Sequence, residues 1–557
     1  MNRTISLISS LSLVSTMMLQ AQNNIPSHQH FKVETLVTGL VDAMEMTVLP
    51  SNDILIAERT GALKLFSPAK NETTLIHKFD VAVKTRNNSR ETGLLGITAD
   101  PNFAKNGWLY AYYSPKEPEE HRLSRFTIKG GKLGEEKILL NVPQSRADGV
   151  CHEGGSLAFD GKGNLFLSLG DNTNPFASDG SAPINEKEGV EHQNAQRSAA
   201  NTNDLRGKIL RIKPTPDGKY TIPAGNLFPK GTKDTRPEIF VMGNRNPWRI
   251  GVDQRTGFVY WGEVGPDASK DSDRGPKGYD EINQAKTAGN FGWPYFIANN
   301  LPYSAYDFAT KKIGEKCNVA APENLSRLNT GLKKLPVPRE PLWFGPRSCH
   351  CAATVYYFDD YAASATKLPK ELDQCLITYD WNNGRMQLTK LDKSSNMEWK
   401  KDWLHEKKFV HPSDVEIGKD GSMYVLEYGS AWYDGKDGKL KKVTYSTTPI
   451  VEQQQKAPDP RLAGLKEKHP GTRLLAESNC ISCHQTQVAS VGPRYVDVAD
   501  RYRNNKDAEK ELIQKVIKGG GGVWGQIPMP PNPQYNEEQV SQMIDAILAL
   551  EPIEHKE

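Results

Sequence analysis

The sequence predicts an all-β six-bladed β-propeller followed by a small all-α domain. Three observations lead there: a strand phrase repeated six times, a polar tether, and a switch to helical periodicity beyond it. The phrase is a polar or Gly turn followed by a short apolar strand, the signature of a repeat unit that must bury its faces against its neighbours. It reads Asn52-Asp53-Ile54-Leu55-Ile56-Ala57, then Asn106-Gly107-Trp108-Leu109-Tyr110-Ala111, then Gly163-Asn164-Leu165-Phe166-Leu167-Ser168. It returns at Gly257-Phe258-Val259-Tyr260-Trp261, at Leu372-Asp373-Gln374-Cys375-Leu376-Ile377 and at Asp420-Gly421-Ser422-Met423-Tyr424-Val425. Four copies are followed by a second strand that opens with Gly, at 61–65, 207–212, 384–388 and 438–443. Six such units favour a propeller over residues 28–446. A β-sandwich with fortuitous spacing is the competing reading, and the long strand-poor insertion at 296–350 counts against it.

Residues 447–460 hold Thr-Thr-Pro, Gln-Gln-Gln-Lys and Pro-Asp-Pro with little apolar content, the composition of a linker. Beyond it, over 461–552, the apolar period becomes helical at Arg461 to Glu477, Glu509 to Ile517 and Glu537 to Leu550. Between the first two lies Cys480-Ile481-Ser482-Cys483-His484. Two thiols at this spacing can add to the vinyl groups of a haem, with His484 as the iron's axial base. A zinc half-site is the alternative, but zinc wants a second Cys or His pair, and beyond His484 there is only His555. Met529, held in Ile527-Pro528-Met529-Pro530-Pro531, is the one Met between the motif and the last helix, and is the candidate second axial ligand. The stretch, with Val491-Gly492-Pro493 and Gly522-Val523-Trp524, resembles the small bacterial class I cytochromes c, which implies covalent haem c and electron transfer.

The chain opens with Met1-Asn2-Arg3, an apolar run from Ile5 to Leu19 and Gln20-Ala21-Gln22. This reads as a signal peptide over 1–21 and places the mature protein in the periplasm, where haem c is attached. The run falls short of the ~20 apolar residues a membrane span needs, so an integral membrane protein is not expected. With 70 basic and 67 acidic residues the net charge is +3, which gives no electrostatic case for nucleic acid. Seven cysteines, two of them in the haem motif, leave Cys151, Cys317, Cys349, Cys351 and Cys375. In an oxidising compartment these suggest up to two disulfides and one leftover thiol.

Three stretches of the repeat region are dense in reactive side chains. They are Cys151-His152-Glu153-Gly154-Gly155 leading to Leu169-Gly170-Asp171-Asn172, then Gly243-Asn244-Arg245-Asn246-Pro247, then Gly262-Glu263-Val264-Gly265-Pro266-Asp267. The last resumes at Tyr279-Asp280-Glu281-Ile282-Asn283 and Gly289-Asn290-Phe291-Gly292-Trp293-Pro294. With Glu91-Thr92-Gly93-Leu94 upstream, they resemble the glucose/sorbosone dehydrogenase family, which includes soluble aldose dehydrogenases using pyrroloquinoline quinone. The resemblance implies His152 as the general base, a task suited to an imidazole near neutral pH, with Asp171 orienting it. It also implies Arg245 as a stabiliser of charge on the reduced quinone, with Asn246 beside it. Gly265 and Pro266 match carbonyl ligands for Ca²⁺, and Asp267, Asp280 and Glu281 are further acidic candidates. Glu91 stands where the family places an active-site amide and, with Asn246, is a candidate quinone-binding residue. The late-blade cations that hold the quinone's three carboxylates are reduced to Arg385, with Arg249 or Arg347 as helpers.

The expectation is a periplasmic quinohaemoprotein. It would oxidise a sugar or sugar-derived alcohol or aldehyde and pass electrons to its own haem, then to a soluble or membrane-bound respiratory acceptor. A Ca²⁺-dependent hydrolase or lactonase, and a non-catalytic propeller that positions a relay cytochrome, are the alternatives.

Overall fold

A computed structural model describes residues 25–83, 91–431, 433, 435–450, 459–466, 469–524 and 528–551. The expected signal peptide and most of the expected linker lie outside the described residues. The chain divides into two compact units, Met1–Ile450 and Val451–Glu557.

The first unit is a six-bladed propeller. The six copies of the repeated phrase become the second strands of the six blades: Ile54–Glu58, Trp108–Tyr113, Leu165–Leu169, Val259–Glu263, Cys375–Asp380 and Met423–Glu427. Five of these six strands are buried along their whole length, because each blade is covered on both faces by its neighbours. This explains their unbroken apolar runs. The inner strands are Ala43–Val48, Leu94–Ala99, Leu157–Phe159, Pro247–Val252, His350–Tyr356 and Pro412–Ile417. Blades approach so closely that a Cβ on Gly262 would lie 1.7 Å from the His350 carbonyl oxygen of the next blade. The sixth blade is closed from the other end of the unit, where Phe31–Leu40 pairs antiparallel with Gly438–Tyr445.

Buried side chains pin one blade to the next near the axis. Glu45 of the first blade accepts from the Ile97 amide of the second (2.8 Å) and from the Ser156 hydroxyl of the third (2.6 Å). Asp414 and Glu416 of the sixth accept from the Met46 and Val48 amides of the first, at 2.8 and 2.9 Å. Arg249 of the fourth donates to the carbonyls of Ser413 and Met44. Burial pushes the Glu45 carboxyl up to about 8, against the opposing pull of Arg249.

The second unit packs helices Pro470–Glu477, Tyr495–Tyr502, Ala508–Lys518 and Glu537–Leu548 around Leu475, Tyr495, Ala499, Met543 and Ile547. The helix expected from Arg461 starts nine residues later. Pro470 is its first residue, and an extended His469 caps it through Nδ1 on the Gly471 amide (3.1 Å). No helix among the described residues is long and apolar enough to cross a membrane.

The expected disulfides do not form, since all seven cysteines are thiols. Cys351 and Cys375 lie on adjacent strands but pair with Tyr379 and Tyr356, at opposite ends of their ladder.

Candidate active site and haem site

The site residues come together because of where they fall in the blades. Glu91, His152 and Arg245-Asn246 each precede an inner strand, whereas Arg59, Asp171, Trp381 and Tyr428 each follow a second strand. In an antiparallel meander these two positions share one end of the sheet. They therefore converge on a single face, where a cavity of about 370 Å³ opens, within the range of small-molecule sites (about 300–1,000 Å³).

His152, Arg245, Glu91 and Asn246 all line this cavity. His152 is 3% exposed, and its Nδ1 meets Asp171 Oδ1 at 2.8 Å. Asp171 is fully buried and also accepts from the Trp293 indole (2.8 Å) and the Thr173 amide (3.1 Å). A carboxylate fixed in this way orients the ring through Nδ1 and leaves the Nε2 lone pair facing away from it. Glu91 Oε2 accepts from the His152 amide at 2.5 Å. Arg245 Nη1 donates to the Val264 carbonyl (3.0 Å), and its Nε is buried with no hydrogen-bond partner among the described residues. The loop carrying Arg245 is fixed by Glu263, whose Oε1 accepts from the Arg245 and Asn246 amides at 2.8 and 2.5 Å.

Glu153, next to the imidazole, is raised to about 8 by burial and then by the charge of Glu91. The Cys151 thiol, also on the wall, is pushed up by burial and then by Glu91, which disfavours its thiolate.

A planar polyanion such as pyrroloquinoline quinone fits these walls. Three guanidinium side chains line them, from Arg59, Arg245 and Arg347, together with the rings of Trp248, Trp381, Tyr428 and Tyr433. The buried Arg59 guanidinium is committed to Asp42 and to the carbonyls of Val83 and Thr92, whereas Arg347 pairs with Asp267 at 2.6 Å. Two other cations expected from sequence lie elsewhere. Arg385 is exposed and outside the cavity lining, and the Arg249 guanidinium is committed to the carbonyls of Ser413, Trp248 and Met44. The carboxylates expected to bind Ca²⁺ do not fit that role. Asp280 accepts from the amides of Gly265 (2.9 Å), Ser348 (2.6 Å) and His350 (3.2 Å). Glu281 accepts from the Ala298 amide (2.6 Å) and the Asn283 side chain (2.9 Å), and burial raises it to about 7. Of that set the buried Gly265 and Pro266 remain, with Asp267 paired to Arg347, and among the described residues no three His, Cys, Asp or Glu side chains gather as a metal site.

Arg59, Trp381 and Tyr428 follow second strands without any local motif and were not singled out, and Trp248, in the inner strand Pro247–Val252 beside Arg245 and Asn246, was given no role. Trp293 stands in the Gly289 to Pro294 stretch, but no local pattern shows that its indole holds Asp171.

In the second unit, Cys480, Cys483, His484 and Met529 line one cavity of about 290 Å³. His484 Nδ1 hydrogen-bonds the Pro493 carbonyl (2.8 Å), which leaves Nε2 to coordinate. A Cβ on Gly492 would lie 2.2 Å from His484 Cε1, so only Gly lets the ring sit there. Met529 is held by paired main-chain hydrogen bonds with Gly520, both 2.9 Å. Two thiols, an oriented imidazole and a fixed thioether around one apolar cavity fit a covalent haem.

Residues 40–324, just over half of the chain, match the family described as Glucose / Sorbosone dehydrogenase, and residues 468–551 match Cytochrome c. The chain belongs to the glucose/sorbosone dehydrogenase family. It is 31% identical over 270 residues to the Synechocystis protein slr1608, covering 47% of this chain and 59% of that one. It is 27% identical over 272 residues to the aldose sugar dehydrogenase YliI of Escherichia coli, covering 47% and 61%. The matches thus span about three fifths of these relatives. The second unit is 43% identical over 77 residues to cytochrome c-551 of Allochromatium vinosum, 14% of this chain and 82% of that one. In fold, the crystal structure of the E. coli soluble aldose sugar dehydrogenase superposes with a TM-score of 0.51 at 22% identity, over 75% of this chain and 99% of its own. The PQQ-bound aldose sugar dehydrogenase of Streptomyces coelicolor does so at 0.50 and 17%, over 75% and 98%. The first unit is thus a propeller of this dehydrogenase family, and the second is a cytochrome c domain, the setting for a covalent haem c.

Proposed function

We propose that the propeller oxidises a sugar or sugar-derived alcohol or aldehyde with pyrroloquinoline quinone, and that the electrons pass to the haem of the same chain. The observation that carries this reading is the His152–Asp171–Trp293 chain aimed at a cavity that Arg245 also lines. When bound, the quinone supplies a two-electron acceptor for hydride. His152 Nε2 takes the substrate's hydroxyl proton, and Asp171 stabilises the imidazolium that results. Arg245 would place fixed positive charge where the acceptor gains negative charge, Arg347 would hold the acceptor's carboxylates, and Arg59 adds positive charge to the wall. His484 and Met529 would ligate the haem iron, and a haem so held would relay electrons and leave no position for substrate. Export to the periplasm and onward transfer to a respiratory acceptor complete the reading.

The test is to supply purified holo-cytochrome chain with quinone, with and without Ca²⁺, offer a panel of aldoses, and follow the haem spectrum. Sugar-dependent haem reduction that needs the quinone is expected. A protein that binds quinone yet reduces its haem with none of the sugars would refute it.

A further inference from the structure

Glu91 lines the cavity without a part in the chemistry proposed above, and its contacts point to a role other than holding the quinone. His152 has φ +69°, in the left-handed region that a Cβ disfavours. Such a backbone persists only if its surroundings fix it. Three contacts do so here. The Asn172 amide donates to the His152 carbonyl (3.2 Å), Asp171 holds the ring (2.8 Å), and Glu91 Oε2 takes the His152 amide (2.5 Å). The third ties the entry loop of the second blade to that of the third. Without it the main-chain N–H of His152 would lose its acceptor beside a cavity.

We infer that Glu91 is a positioning residue for the general base, holding the His152 main chain in its left-handed turn, and that it is not a ligand of the quinone. This rests on His152 being the base. An anion suits the task because charge-assisted hydrogen bonds are the shorter and stronger kind. It would suit a quinone ligand poorly, since the quinone's own carboxylates would meet a like charge. The negative charge is already felt nearby, where it helps to raise Glu153, Cys151 and Tyr433. A glutamine could still accept from the amide, whereas an aspartate, one methylene shorter, would keep the charge and lose the reach.

Three variants separate these roles: E91Q, E91D and E91A. E91Q should lower kcat about threefold, and E91D and E91A about tenfold to a hundredfold, up to the cost of a misplaced catalytic group. Quinone affinity, read by tryptophan fluorescence quenching, and KM for sugar should stay within about threefold throughout. A readout free of activity is the rate at which diethyl pyrocarbonate acylates His152 at fixed pH, read by peptide mass spectrometry. It should rise in E91D and E91A and stay near wild type in E91Q, because only the first two release the turn. Weakening of quinone binding tenfold or more in E91Q, or unchanged His152 acylation in E91A and E91D, would overturn the inference. If the unmutated chain binds quinone but oxidises no sugar, the proposed function fails, and the acylation series still decides the part Glu91 plays.

Discussion

Replacing Asp171 by asparagine would test the centre of the site, because the amide cannot satisfy all that the carboxylate does. Asp171 accepts from His152 Nδ1 and the Thr173 amide through Oδ1 and from the Trp293 indole through Oδ2. The Asp171→Asn side chain would offer one oxygen and an NH₂ group in their place. With the oxygen toward His152, the Trp293 N–H faces a donor in a fully buried place and loses its acceptor, at a cost of about 1–3 kcal/mol. With the oxygen toward Trp293, the Thr173 N–H is orphaned at a similar cost. The NH₂ then faces His152 Nδ1 and moves the ring proton to Nε2, the nitrogen needed as base. Either way the imidazolium loses its anion, so kcat should fall by about 10²- to 10⁴-fold, the contribution of a positioned general base. Sugar-dependent haem reduction gives the rate, and calorimetry of the propeller transition gives the stability. A variant within threefold of wild-type kcat, with an unchanged propeller transition, would refute this account of the site.

The other predictions concern charge and the haem. Glu45 is raised in the fold from 4.5 to about 8, so its contribution to stability is complete below pH 4.5 and is lost as pH rises toward 8. Thermal unfolding of E45Q should therefore show a flatter decline than wild type across that window, and an equal slope would count against the assignment. R385A should leave quinone affinity unchanged, as its side chain is exposed and outside the cavity lining. R347A should weaken affinity by about tenfold or more, since charged hydrogen bonds contribute about 1.5–3 kcal/mol; equal effects in a fluorescence titration would contradict the placement of these two cations. G492A drives a methyl into the His484 ring. It should cost about 1–3 kcal/mol and disturb the low-spin haem spectrum, so a native spectrum would mean the ring had room to move.

The propeller was legible because second strands are sandwiched on both faces, which writes an unbroken apolar run such as Leu165–Leu169 into the sequence. The fourth strands were not legible. Glu72–Lys78 lies on the rim, almost wholly exposed, and has no pattern to read. The third strand of the fourth blade, Asp280–Ala285, also escaped, because its acids cap neighbouring main-chain amides and so look like surface or metal-binding residues. Helix Tyr495–Tyr502 was hidden behind the turn at Val491-Gly492-Pro493, although Tyr495, Val496, Ala499 and Tyr502 form its buried face. In the site, motif residues such as His152 and Arg245 were found. Arg59 and Tyr428 were not, because each is a lone side chain at a strand end and only the ring of blades brings it to the cavity.

Closure of the sixth blade by Phe31–Leu40 has a consequence for how the molecule is made. His30 and Ser446 are joined by two hydrogen bonds across 416 residues of chain. Closing a loop of that length costs about 5 kcal/mol of chain entropy beyond a constant. The first strand to emerge from synthesis must therefore wait, unpaired, for the last, and the ring shuts only after every blade is present. The same closeness of entry and exit makes the ring indifferent to where it is cut. A propeller permuted to begin at the second blade, with the old ends joined by a short loop, should fold to the same six blades.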